Sequence, residues 1–152
     1  MLKYELDNRS GFEVVHNSAA WRIAVHAYAP EVNGLESFRN WGVHTDSEEG
    51  FVLLKGAAWL ITSDAPVVDP ADDAKDAADE KIAQAAEKAE GWELCSLEKE
   101  KLYLVRKGER HAILLKEDSQ VLIMENQDMS RTYSQAISPD ILEAVKKEIG
   151  GC

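Results

Sequence analysis

The chain has 152 residues, 45% of them hydrophobic and 30% charged, enough to bury one ordinary core without disulfides. A formal net charge of −11, with no basic surface to offset it, argues against nucleic acid and anionic membrane as partners and leaves a small-molecule ligand as the expectation. No run approaches the ~20 apolar residues of a membrane span, the first residues lack the apolar core of a secretion signal, and Cys95 and Cys152 form no CxxC pair, so a cytoplasmic protein with free thiols is expected.

The first 62 residues read as short strands separated by turn chemistry. Trp21 to Tyr28 alternates, with Trp21, Ile23, Val25 and Ala27 on one side and Arg22, Ala24, His26 and Tyr28 on the other. Pro30 to Gly34 closes that strand as a turn-rich loop. Phe51 to Leu54 is a continuous apolar run, Gly56 interrupts it, and Ala57 to Thr62 continues as the next strand.

Composition changes at Ser63. Residues 63–91 read as an insertion between strands, with a helix predicted over 69–90: Asp69 is an N-cap, Pro70 suits the first helical position and Gly91 is a natural stop. That helix carries eight acids against three lysines, and Ile82 is its only large apolar side chain. It is therefore expected to be exposed and to owe its order to alanine propensity, with a protein-docking surface as the functional alternative.

Strand patterning resumes at Trp92, with runs at Lys101–Val105, Ala112–Leu115 and Gln120–Glu125 and turns at Lys107-Gly108 and Glu117–Ser119. A capped amphipathic helix follows over 138–149, its stripe formed by Ile141, Leu142, Val145 and Ile149. About eight short strands with one inserted and one terminal helix predict an all-β antiparallel barrel or sandwich, a single domain over residues 1–152.

Two segments carry the chemistry. Gly42 to Gly56 places His44 and Glu49 at the mouth of a hairpin, ahead of a strand that ends in glycine. Lys107 to His111 places a second histidine after a glycine turn, at the start of another strand. Two imidazoles and one carboxylate brought together by antiparallel strands suit a divalent transition metal. Asp46 is a candidate outer partner for an imidazole, and Glu48 should face away from Glu49 by strand alternation. His26 is a candidate pocket residue and substitute donor if its side of the strand faces inward. Trp41 and Trp59 flank the motif and are candidate pocket walls, although core packing is the commoner fate of tryptophan in a small barrel. His16 has no motif around it and is expected at the surface. There is no phosphate-cradling glycine loop, no GxSxG and no HExxH.

These two segments resemble the paired motifs of the cupin superfamily. The first family motif runs His-x-His, three or four residues, Glu, six residues, Gly; His44, four residues, Glu49, six residues and Gly56 follow its second half, and Gly42 stands where the first histidine would be. The second runs Pro-x-Gly-x-x-His, three residues, Asn; Gly108 and His111 match, while Arg106 replaces the proline and Leu115 the asparagine. The resemblance spans residues 20–126 and implies an antiparallel double-stranded β-helix barrel with a ligand pocket at one mouth, commonly as a homodimer. Three histidines and a glutamate hold the ion in metal-binding cupins, so it also implies His44, Glu49 and His111 as ligands of Fe, Mn, Ni or Zn, with a fourth position open to water or substrate. The implied function is binding of a small polar ligand, with metal-dependent isomerisation, epimerisation or oxygenation. The alternative is a non-catalytic barrel that binds or senses a small molecule without metal.

Overall fold

A computed structural model of the chain describes residues 1–63 and 91–151. An antiparallel pair, β1 (Gly11–Asn17) and β2 (Trp21–Ala27), is followed by a one-turn helix α1 (Pro30–Asn33) and a 3-10 turn (Leu35–Ser37), where the sequence predicts a loop. Then come β3 (Asn40–His44), β4 (Glu49–Lys55), β5 (Ala58–Ser63), β6 (Glu93–Ser96), β7 (Leu102–Val105), β8 (Arg110–Leu115), β9 (Gln120–Asn126), β10 (Thr132–Ala136) and the helix α2 (Pro139–Gly150). β10 has a polar sequence with a single buried residue, Gln135, so no hydrophobic alternation marks it. It is a strand because its backbone pairs with β3, Thr132 opposite His44 and Ala136 opposite Asn40.

The strands form two five-stranded antiparallel sheets, ordered β1-β2-β9-β4-β7 and β10-β3-β8-β5-β6. Their inner faces supply the main core: Ala24, Phe51, Leu53, Val121 and Ile123 from the first sheet meet Ala58, Leu60 and Leu115 from the second. In β2 the interior takes the side that carries Ala24 and His26, both buried, while Trp21 on the other side is 46% exposed. The outer face of the second sheet is covered by α2. Ile141, Val145 and Ile149 pack there with Phe38, Trp41, Ile61 and Leu114, which explains the spacing of the apolar stripe.

The expected alanine- and acid-rich helix over 69–90 lies outside the described residues. On either side of it, β5 pairs with β6, Thr62 opposite Glu93, and the Ser63 hydroxyl donates to the Gly91 carbonyl at 3.0 Å. Among the described residues no helix is long and apolar enough to cross a membrane.

The turn between β4 and β5 depends on glycine. Gly56 has φ +75°, and a Cβ there would stand 2.7 Å from the Ser119 Cα. The neighbouring Ala57 N–H donates to Ser119 Oγ at 2.9 Å, so the two turns are locked against one another. Gly56→Ala is expected to destabilise the protein by about 2–4 kcal/mol, from left-handed strain plus the clash. Gly150→Ala, where nothing lies within 4 Å, is the control and should leave the urea-unfolding midpoint nearly unchanged.

Candidate metal centre

His44 ends β3, Glu49 begins β4 and His111 lies one residue into β8, so three strand ends deliver the three side chains to one mouth of the barrel. The glycine turn before β8 aligns them. Gly108 has φ +82°, and its N–H donates to the His44 carbonyl at 2.7 Å, tying the second motif to the first through the backbone. Gly42 lies directly opposite His111 in the β3–β8 register, and all of these residues face inward.

The three side chains are buried, each 6% exposed. His44 Nε2 lies 2.9 Å and His111 Nε2 2.6 Å from the same carboxylate oxygen, Glu49 Oε2. The imidazole rings are stacked, 5.3 Å between centroids and 22° apart. Both outer ring nitrogens are engaged. His111 Nδ1 lies 3.2 Å from the Glu109 carbonyl, which only accepts, so that nitrogen carries a proton. Thr132 Oγ1 donates to the Met129 sulfur at 3.9 Å, which leaves its oxygen to accept Nδ1–H of His44 at 2.8 Å. Each imidazole therefore directs its Nε2 at Glu49 Oε2: with a proton it donates to the carboxylate, and with that proton lost it presents the lone pair that a metal ligand needs.

Glu125 and Arg22 complete the mouth, and the motif spacing did not single them out. Arg22 Nε donates to Glu125 Oε1 at 2.8 Å, with the Glu125 side chain 4% exposed. Glu125 lies on the inward side of β9 with Val121 and Ile123, so strand parity was the signal that could have found it. In the form that would bind a metal, with neutral imidazoles, Glu49 and Glu125 against Arg22 give this buried set one net negative charge, which favours a cation.

The titrating groups follow from that charge balance. Burial alone would raise Glu49, but the hydrogen bonds from His111 and His44 and their charge hold the carboxyl at about 2. Burial lowers His44, yet the hydrogen bond to Glu49 and the charges of Glu49, Glu125 and Asp46 leave it raised. Glu125 is raised by burial and by the charge of Glu49, with Arg22 offsetting part of both.

The donor set fits a small divalent ion. Ligand atoms on arms of about 2.1 Å stand about 3 Å apart when at right angles, and the two nitrogens here lie 2.9 and 2.6 Å from the carboxylate oxygen. All three donor atoms lie within 4.8 Å of one another. Above His111 the site is open: a Cβ at Gly42 would sit 3.5 Å from His111 Nε2, so the missing histidine leaves space rather than a substitute donor.

That space belongs to a cavity of about 240 Å³ bounded by Glu49, His111, Gly42, His26, Phe12 and Phe51. His26 lines it but stands outside the converging donors, so it does not replace the missing ligand. Both its ring nitrogens are buried without a hydrogen-bond partner, and burial lowers its pKa to about 4, with the charge of Glu49 opposing.

Three candidate pocket residues are placed elsewhere. Trp41 points away from Gly42 by alternation, and it packs edge-on against Phe38 under α2, ring centroids 6.0 Å apart. Trp59 joins the same outer cluster. Asp46 is exposed and acts on His44 only through its charge; the outer partner of that imidazole is Thr132. Glu48 is exposed, and His16 is half-buried on the outer face with its Nδ1 2.8 Å from the Tyr4 hydroxyl.

A two-sheet antiparallel barrel with two histidines and a carboxylate at its mouth defines a class of protein. No protein-family model matches the sequence, and no curated protein is similar to it by sequence. Solved structures are similar in fold. Hydroquinone 1,2-dioxygenase from Sphingomonas sp. TTNP3, solved with 4-hydroxybenzoate, aligns over 80% of this chain and 68% of its own at 12% identity and a TM-score of 0.53. The Streptomyces protein PAC13, solved with uridine, aligns over 91% and 93% at 9% identity and a TM-score of 0.50. A cupin-2 domain containing protein from Shewanella frigidimarina aligns over 80% and 86% at 17% identity and a TM-score of 0.49. Identities this low speak for the fold alone, a cupin-like antiparallel barrel of two sheets.

His26 supplies a pH test of the cavity. In the unfolded chain it takes up a proton near pH 6.5, in the barrel only near pH 4, so stability is full above this window and is lost as the pH falls through it. Between about pH 7 and about pH 4.5, chelator-treated wild type should lose roughly 2 kcal/mol more unfolding free energy than His26→Phe does. Urea titrations of both proteins at the two pH values measure the difference.

Proposed function

We propose that the protein is a divalent-metal cupin that binds one ion through His44, Glu49 and His111 and a small polar molecule in the adjoining cavity. Oxygenation is the reaction class this donor set favours. Two histidines and one carboxylate with open positions are the arrangement of non-haem Fe(II) oxygenases. The observation that carries the reading is the orientation of both imidazoles, whose Nδ1–H groups are held by Thr132 and the Glu109 carbonyl while both Nε2 atoms converge on Glu49 Oε2. A bound ferrous ion would supply Lewis acidity and activation of dioxygen. The chain's own residues do the rest: Glu49 and the imidazoles anchor, Arg22 and Glu125 set the local charge, and Gly42 leaves room beside His111.

A second reading has an observation of its own. His44, Glu49 and His111 satisfy one another by hydrogen bonds, so the site is also self-consistent with protons in place of the ion. In that case the barrel binds its ligand without metal.

Metal analysis of protein purified anaerobically without chelator separates the two readings. The metal reading expects close to one equivalent of transition metal and no retention in Glu49→Ala; less than about 0.2 equivalents in wild type, after titration with Fe(II) and Zn(II), would sink it. Thr132→Val, which removes the hydrogen bond that orients His44, should weaken Zn(II) binding by about tenfold with little loss of fold. Gly42→His restores a fourth donor at the mouth and should tighten Zn(II) binding, as competition against a chromophoric chelator would show.

A further inference from the structure

The metal reading leaves His26 unused. Its side chain is 9% exposed, and neither ring nitrogen has a hydrogen-bond partner. A buried polar group left in that state costs about 1–3 kcal/mol, a cost that a ligand hydrogen-bonded in the cavity would relieve. Phe12 meets the ring edge-on at 5.6 Å between centroids, so one side of the imidazole is packed. The residue lines the same cavity as Glu49 and His111.

The chemistry of the missing partner follows from the ring. A neutral imidazole offers one donor and one acceptor, and burial keeps this one neutral. A carboxylate matches only the donor and an ammonium only the acceptor, whereas a hydroxyl serves either nitrogen. The walls around His26, Phe12 and Phe51 among them, are aromatic and suit a flat ring. The cavity of about 240 Å³ exceeds the roughly 150 Å³ in which an apolar protein cavity takes up benzene. It therefore has room for one ring with small substituents.

We propose that His26 anchors the ligand of this cavity, hydrogen-bonding the hydroxyl of an uncharged single-ring phenol whose second polar group lies at the His44–Glu49–His111 site. Placement of the second group rests on the metal reading; the hydroxyl contact at His26 does not. Gly42 lines the same cavity and places no side chain beside His111.

The test compares phenol with toluene, a ring of similar size without the hydroxyl, on Zn(II)-loaded and chelator-treated protein. Wild type should bind phenol about tenfold more tightly than toluene, the worth of one hydrogen bond, in both preparations. His26→Phe should erase that preference and leave toluene binding intact, and His26→Gln, which keeps a donor and an acceptor, should restore part of it. In wild type the 15N resonances of the His26 ring should move on adding phenol and stay still with toluene, a readout that needs no variant to fold. A phenol preference that is absent in wild type or unchanged in His26→Phe overturns the inference, as do His26 resonances indifferent to phenol. Zinc stoichiometry on the same samples judges the metal reading separately. Zinc bound with no role for His26 defeats only this inference, and a His26-dependent preference without zinc binding defeats only the metal reading.

Discussion

The mouth of this barrel is organised around one buried carboxylate. Glu49 is almost wholly removed from water, which is prohibitive for a charged group unless it is paired. Two imidazole nitrogens on a single oxygen provide the pairing, and each is held in place from behind, His44 by Thr132 and His111 by the Glu109 carbonyl. The Gly108 turn, bonded to the His44 carbonyl, sets the separation of the two histidines through the backbone rather than through side-chain packing. Arg22 with Glu125 then limits the negative charge that accumulates there. The same lone pairs serve a proton or a cation, so the interaction that lets the carboxylate be buried also makes the site a candidate for metal.

The two faces of the second sheet divide the remaining work. Large aromatic residues are spent on the outside, where Trp41 and Trp59 join Phe38 and α2 in a second apolar cluster. Inside, Gly42 on β3 places no side chain beside His111, and it borders the cavity that His111 and His26 line. The amphipathic helix α2 covers that outer cluster. The two tryptophans considered as pocket walls thus belong to this outer layer.

Much of the centre was legible as spacing. His44, Glu49 and Gly56 on one hairpin, and Gly108 and His111 on another, are local patterns whose geometry is set by strand period and turn chemistry, so they survive folding as read. Where residues act across strands, the sequence fell short. Thr132 sits on a polar strand with no hydrophobic alternation, and its role depends on β10 pairing with β3. Glu125 shares the inward parity of Val121 and Ile123, but its ion pair with Arg22 is a contact between β9 and β2, far apart in the chain. Trp41 could be read as pocket wall or as core, because its position beside the motif says nothing about which side of the sheet is hollow.

By itself the sequence determined an antiparallel β-rich chain, its amphipathic terminal helix and the three donor residues, because each is written in short-range periodicity and turn residues. Only the tertiary structure decided which face of β2 looks inward. Period-2 alternation marks two faces of a strand equally, and the choice between them depends on what the partner sheet and α2 cover. That choice left Trp21 in solvent and brought His26 into the cavity with its nitrogens unpaired.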